Sequence, residues 1–348
     1  MPTLSVIIPV YNASRTLARC LESIQRSSRQ PMECIVIDDG STDGSAAIAE
    51  RFRATVLSAG KRQGPAAARN LGARSAAGDT LVFVDADVAV HAGTLELFAV
   101  RFEQDPELDA AIGSYDDAPA DGGIVSHFKN LMHHFVHQNG RAEASTFWCG
   151  CGAVKRHVYI EHGGLDESYR RPSIEDIEFG LRLFQAGRKL ALCPEVQAKH
   201  LKIWTLGSLL KTDIFQRGIP WTELILRTRS LPDDLNLSWR QRISAVIAGL
   251  IAAFCVVGAV SLAASSARVP LQLWAASVAT LLAVFIALNR RFYRFLAARV
   301  GWRSMLATIP LHFLYFLYSG ISFIMGAGLY LLRGRASAGR LSRKTDSA

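Results

Sequence analysis

Three acidic groupings stand out by residue type and spacing: Asp38-Asp39, Asp85-Ala86-Asp87 and Glu175-Asp176. The apolar run ECIVI (33–37) ends at Asp38, and TLVFV (80–84) ends at Asp85. Two carboxylates one residue apart, where the chain leaves a buried strand, concentrate negative charge and need a cation. Oxygen donors of this kind suit Mg2+ or Mn2+, which also bind the phosphates of a nucleotide. On its own an Asp-x-Asp is most often a solvated turn; Gly78-Asp79 and the TLVFV strand directly before it strengthen the metal reading. Glu175, Asp176 and Glu178 open an amphipathic helical pattern. There a carboxylate could accept a proton from a hydroxyl, or the three acids could simply complement a helix dipole. His200 closes the strand-like run 194–200, where it reads equally as a metal ligand or as a hydrogen-bonded side chain.

Other candidates carry less. His133, His134 and His137 include an i, i+4 pair without a glutamate between, on a helix with apolar Ile124, Val125, Phe128, Leu131, Met132, Phe135 and Val136. That pattern reads as an acceptor-side or membrane-facing helix rather than a metal site. The six cysteines show no CxxC spacing and read as reduced thiols. A GxGxxG after the first strand and a GxxxxGK[ST] are both missing, which disfavours a dinucleotide dehydrogenase and a P-loop NTPase.

These residues must be held by something, and the first 110 positions alternate strand and helix signals. Buried strands are expected at Leu4–Val10, 33–37, 55–57 and Thr80–Val84, with helices at 13–27, 46–52 and 65–77. The alternation predicts a parallel, doubly wound α/β sheet, with chemistry beyond the carboxyl ends of its strands.

The ordered set SVIIPVYN (5–12), IDDGSTD (37–43), ARNLG (68–72) and FVDAD (83–87), followed by GGLDE (163–167) and Glu175-Asp176, resembles the family 2 inverting glycosyltransferases. The resemblance covers roughly residues 3–225. It implies a GT-A fold, a UDP- or GDP-linked sugar donor and inversion at the anomeric carbon. By that resemblance Tyr11 and Asp39 would contact the base, with Pro9 and Asp38 shaping the pocket, and Arg69 would lie near the ribose or diphosphate. Asp85, Ala86 and Asp87 would form the Asp-x-Asp element, with Asp87 nearest the Mn2+ or Mg2+, Asp85 toward ribose and metal, and His200 approaching the metal. Asp176 and Glu175 would be the catalytic pair, with Asp176 as the general base. Gly150, Asp166, Gln216, Arg217 and Trp221 would lie on the acceptor side. Processive members carry Gln-x-x-Arg-Trp; here Arg217 directly follows Gln216, and Pro220 precedes Trp221, which favours single transfers.

The 348 residues hold 39 Lys and Arg against 30 Asp and Glu, a net charge of +9 that could suggest nucleic acid. The charge is unevenly placed. Residues 240–348 hold 13 of the basic residues and a single acid, so residues 1–239 carry 26 basic against 29 acidic. Uncharged stretches at 243–267, 269–289 and 304–332 accompany the basic surplus. Each is long enough for a hydrocarbon core of about 30 Å, which points to a membrane and not to a duplex. Arg290, Arg291, Arg294, Arg299 and Arg303 place the second connection in the cytoplasm, and the N-terminal portion with it; only Arg268 marks the preceding hairpin tip. Phe292, Tyr293, Phe295, Leu296 and Trp302 among those arginines suggest an interfacial helix. Arg333, Arg335, Arg340, Arg343 and Lys344 fall outside if 304–332 spans, against the same rule. Met1–Asn12 has no basic region of a secretory signal and reads as a strand.

The sequence thus predicts a cytoplasmic GT-A domain over 1–229, with a donor half (1–110) and an acceptor half with interfacial helices (111–229). A multi-pass inner-membrane region (240–334) and a basic tail (335–348) follow. The expected reaction moves one sugar to a lipid, lipid-linked or polysaccharide acceptor; no feature indicates an oligomer. A polyprenyl-phosphate sugar synthase and a non-catalytic nucleotide-sugar-binding membrane subunit are the alternatives.

Overall fold

The apolar runs of the N-terminal half become β1 (Leu4–Val10), β2 (Glu33–Asp38), β3 (Thr55–Ser58) and β4 (Thr80–Val84), all parallel in the order β3-β2-β1-β4. The computed structural model describes residues 1–120, 123–263 and 270–345, which divide into a unit spanning Met1–Thr205 and a second, Leu206–Ala348.

In the first unit the sheet continues through β5 (Val88–Val90), β6 (Ala110–Tyr115), β7 (Cys151–Lys155) and β8 (Leu190–His200), in the order β4-β7-β6-β8-β5. β7 runs antiparallel to β4 and β6, and β5 antiparallel to β8. The four strands expected from sequence are thus parallel, and the sheet becomes mixed beyond β4. Its antiparallel part is built from small residues whose runs (AAIGSY, CGAVK) carry little strand signal. Glycine is required there: a Cβ on Gly113 would lie 2.5 Å from the Val196 carbonyl, and one on Gly152 2.3 Å from that of Trp148.

Among the described residues, seven helices flank this sheet: α1 (Leu17–Gln25), α2 (Ser45–Arg51), α3 (Pro65–Ser75), α4 (Thr94–Gln104), α5 (Ile124–Gln138), α6 (Arg156–Glu161) and α7 (Glu175–Gln185). α1 buries Leu17, Cys20, Leu21 and Ile24, the i, i+3, i+4, i+7 face of its pattern. α4 adds Leu95, Phe98, Ala99 and Phe102 to the same core. Each such side chain contributes about 1.5–3 kcal/mol on burial. α3 begins at Pro65, whose missing N–H costs nothing in a first turn. It lies so close to the sheet that a Cβ on Gly72 would meet Ile37 and Ile7 at 2.6 and 2.7 Å.

The second unit begins with α8 (Leu206–Lys211), a π-helical stretch (Thr212–Gly218) and α9 (Ile219–Thr228). The π-helical stretch and α9 pack against the long apolar helix that closes the chain. α10 (Trp239–Ala263), α11 (Leu271–Leu288) and α12 (Arg290–Thr345) complete it. Gly218 faces Ser322, and Gly326 faces Thr222, at distances that leave no room for a side chain. Tyr318 donates to buried Asp213 over 2.6 Å. α12 is interrupted at Gly301, whose φ of 79° and ψ of 159° are not helical, separating the arginine-rich turns from the apolar stretch. Among the described residues, two helical stretches, Trp239–Ser261 and Arg290–Arg333, are long and apolar enough to cross a membrane. The expected segment 269–289 forms α11, 18 residues long, or about 27 Å at the helical rise. The hairpin tip at Arg268 lies outside the described residues, as do the side chains of the basic tail.

Candidate active site

The carboxyl ends of β1 and β2 are tied together by short polar side chains. Asn12, in the left-handed region at φ 50°, donates its N–H to Ser41 Oγ over 3.0 Å and accepts from the Thr42 N–H at 2.8 Å. Asp43 accepts from the Ser14 N–H at 2.9 Å and from the Ser45 hydroxyl at 2.5 Å. Some desolvation opposes it, but the bonds from Ser45 and Ser14 bring the Asp43 carboxyl down to about 2. Pro9 sits in β1 opposite Ile37. Tyr11 is half-exposed, with the Arg62 guanidinium 3.9 Å over its ring. Asp38 accepts from the Ser41 N–H at 3.0 Å.

Asp39 is buried, and its two oxygens accept the N–H groups of Gln63 (2.7 Å) and Gly64 (2.9 Å). It thereby holds the loop that leads into α3. Gly64 has a φ of 106°, and a Cβ there would meet the Arg170 backbone at 2.7 Å, so the loop after α6 lies directly over this turn.

The centre of the site is Arg69. It is buried on α3, donating Nη2 to Asp85 Oδ1 (2.6 Å) and Nη1 to Glu175 Oε1 (3.1 Å). Its Nε is buried and makes no hydrogen bond. A planar guanidinium can face two carboxylates in one plane, which an ammonium cannot do with comparable geometry. Glu175 accepts the Ser173 N–H on its other oxygen at 2.9 Å, so both its oxygens are engaged. Asp176, the next residue, is half-buried; Oδ2 accepts the Cys149 N–H (3.2 Å) and Oδ1 the Ile177 N–H (2.8 Å). α7 is set by a close approach: a Cβ on Gly180 would fall 1.8 Å from the Phe147 nitrogen.

Asp85 and Asp87 leave β4 in one turn, with buried Ala86 between them. Burial pushes the Asp85 carboxyl above the usual range against the pull of Arg69, and the charge of Asp87 adds to the rise. For Asp87 burial acts in the same direction, but the neighbouring His200 and Lys202 hold it below the usual range. His200 Nε2 lies 3.7 Å from Asp87 Oδ2. The Asp87 carbonyl accepts the Leu201 N–H at 2.7 Å, which binds the two segments at this point. Among the described residues, no three His, Cys, Asp or Glu side chains converge as a ready-made cation cage. The donor set of two carboxylates and one imidazole fits Mg2+ or Mn2+ of the kind that completes its shell with water and substrate phosphates.

The remaining sequence candidates fall in varied places. The Gly150 carbonyl accepts the Asp85 N–H at 3.5 Å. Asp166 accepts the Ser168 N–H at 2.9 Å within its own turn. Gln216 and Arg217 lie in the π-helical stretch, and Trp221 in α9, all in the second unit. His134 and His137 on α5 meet the carbonyls of Tyr115 (2.7 Å) and Gly113 (3.1 Å), so that helix face packs on β6. Cys149 and Cys151 are buried, and burial drives both thiols up, that of Cys151 to about 12. The Cys149 N–H, the Gln63 and Gly64 amides and Asn130, which meets His200, were not among the sequence candidates. Three of these act through the backbone, which leaves no residue-type signal.

A mixed sheet in this order, with paired acids at the carboxyl ends of β2 and β4 and an acid-led α7, is a GT-A domain. The glycosyl transferase family 2 profile matches residues 5–163, so this segment is a family 2 glycosyltransferase domain. The chain is 35% identical over 117 residues to the glycosyltransferase GlyG of Streptococcus pneumoniae, covering 32% of this chain and 38% of that one. It is 37% identical over 103 residues to the glycosyltransferase AglE of Haloferax volcanii, covering 28% and 34%. The chain therefore spans little more than a third of the length of these curated relatives. Its fold is similar to that of mannosyltransferase PcManGT from Pyrobaculum calidifontis, solved with GDP-Man and Mn2+. The TM-score is 0.55 over 93% of this chain and 87% of that one, at 19% identity. Glu175, Asp176 and His200 lie beyond the segment matched by the family profile.

Proposed function

We propose that this chain is a membrane-bound, metal-dependent inverting glycosyltransferase. It transfers a single sugar from a UDP- or GDP-linked donor to a lipid, lipid-linked or polysaccharide acceptor at the inner face of the cytoplasmic membrane. The observation that carries this reading is the Arg69 bridge from Asp85 to Glu175. It joins the end of β4 to the start of α7, the helix whose first turn carries Asp176. Tyr11 and Asp39 flank the base, Pro9 and Asp38 shape that pocket, and Arg69, Asp85 and Ala86 border the ribose and diphosphate.

Asp87, Asp85 and His200 would hold the cation, which when bound offsets the charge gathering on the departing diphosphate. Asp176 takes the proton of the acceptor hydroxyl as the new bond to the anomeric carbon forms and the bond to the donor phosphate breaks. Both of its oxygens already accept a backbone N–H, which fixes the carboxylate while lone pairs remain for the proton. Glu175, buried and ion-paired to the Arg69 guanidinium, positions α7 instead of reacting. Gly150, Asp166, Gln216, Arg217 and Trp221 belong to the acceptor side.

Membrane attachment is supported by the apolar windows of the two long helices, of which only 22% is buried. A soluble core helix would bury most of its length. Val256, Val257 and Ile324 instead point outward, Ile324 at 72% exposure. The arginines at 290–303 favour an orientation with the glycosyltransferase domain in the cytoplasm.

The test is transfer by the detergent-purified chain across a panel of nucleotide sugars with Mn2+. Asp176→Asn should abolish transfer while leaving donor binding within a few-fold. Intact transfer by that variant would rule out Asp176 as the base.

A further inference from the structure

His200 meets four neighbours whose chemistry fixes which of its nitrogens carries a proton. Its ring stacks on Tyr115 at a centroid distance of 4.2 Å and 7° between planes, with Trp204 tilted against it at 6.2 Å. Stacking fixes the ring plane but leaves both edges equivalent in shape. Asn130 decides between them. It is 1% exposed on α5, and its Oδ1 lies 2.7 Å from His200 Nδ1. Its Nδ2 points to the Lys202 carbonyl and the Ser126 hydroxyl, each at 3.5 Å. A carbonyl only accepts, so the amide nitrogen must face Lys202 and the amide oxygen must face the imidazole. An amide oxygen has no proton to offer, so His200 Nδ1 supplies it. Nε2, 3.7 Å from Asp87 Oδ2, is the nitrogen left over.

We infer that Asn130 is a positioning residue: by accepting the Nδ1 proton of His200, it reserves the Nε2 lone pair for the divalent cation held with Asp87. This rests on the cation reading given above. Outer partners of ligating histidines act this way in general, fixing tautomer and ring orientation, and losing one typically costs about 10–100-fold in metal affinity. The frame around the pair is rigid. Leu201 is bonded to the Asp87 carbonyl, and Lys202, which orients Asn130, follows directly. α5 itself is fixed to β6 through His134 and His137.

The experiment uses the full chain in detergent and Mn2+ alone as the probe, titrated by electron paramagnetic resonance. It is joined to 15N spectra of selectively labelled histidine, with His200 assigned by its loss in His200→Gln. In the metal-free wild type the proton should sit on Nδ1. Asn130→Leu should lose that preference and weaken Mn2+ binding about 10–100-fold. Asn130→Asp, which keeps an acceptor oxygen, should retain both within a few-fold. A proton found on Nε2 with Nδ1 bare in the wild type would overturn the inference, even if the leucine variant fails to fold. So would unchanged Mn2+ affinity in Asn130→Leu when His200→Gln weakens it. Unchanged affinity in His200→Gln removes the cation reading beneath the inference, and that result is distinct from the other two.

Discussion

Arg69 and Glu175 are 106 positions apart in sequence, yet the guanidinium donates to the carboxylate over 3.1 Å with both side chains almost fully buried. The same arginine reaches Asp85, so one cation bridges the end of β4 and the start of α7. Removing it would leave buried Glu175 and half-buried Asp85 around an apolar stub. Breaking a buried pair in this way costs about 3–5 kcal/mol. Arg69→Met should therefore lower the stability of the full chain by roughly that amount in denaturant titrations. Adding Glu175→Gln should recover part of the loss, since it removes one of the stranded charges. Simple additivity of the two changes would mean that the bridge carries no coupling energy.

The position of α7 depends on a glycine more than on any side chain. Gly180 passes the Phe147 backbone so closely that an added methyl would have to displace the helix or the loop. Gly180→Ala should cost at least about 1–3 kcal/mol as an overpacked contact. It should also depress kcat more than KM, because Asp176 rides on the same helix. Gly207, on α8 with nothing within 4 Å of an added Cβ, is the matched control. Gly207→Ala should be neutral or stabilise by roughly 0.5–1 kcal/mol. Equal behaviour of the two variants would contradict the close contact.

Acid should loosen the β1–β2 loops through Asp43. Its folded pKa of about 2 lies below the ordinary value of 3.8. The bonds to Ser14 and Ser45 therefore stabilise the fold fully above about pH 4 and lose that effect as pH falls toward 2. Asp43→Ala should be less stable than the wild type near neutrality, and the two unfolding curves should converge between about pH 4 and pH 2. A gap that stayed constant through that window would show that the carboxylate form is not what the loop needs.

Much of this fold was legible where the sequence is uniformly apolar. β1 and β4 begin and end where LSVIIPV and TLVFV do, because a strand buried on both faces leaves no polar position to blur its edges. β6 and β7 were not legible. Their glycines and alanines serve close backbone approach, a property of the partner strand and not of the residue itself. The site divides in the same way. Asp39, Asp85, Asp87 and His200 declare themselves by charge at strand ends. That Asp39 grips two backbone amides, or that Asn130 meets His200, depends on segments brought together from far along the chain.

The nucleotide and cation sites should separate by ligand-induced stabilisation. Binding at a hundredfold excess over Kd stabilises a folded protein by about 2.7 kcal/mol, large enough to see in a thermal scan. In the proposed arrangement the base is held by the Tyr11 and Asp39 region, whereas the diphosphate depends on the cation held by Asp87, Asp85 and His200. UDP or GDP should therefore raise the melting temperature more with Mn2+ than after chelation with EDTA. Uridine or guanosine, which lack the diphosphate, should show no such increment. Asp87→Asn should erase the Mn2+-dependent part and leave the nucleoside-dependent part in place. Asp39→Asn should do the reverse, since it disturbs the amides of Gln63 and Gly64 but not the acids at the end of β4. If both variants lost both responses equally, the division of labour between the two acid pairs would be wrong.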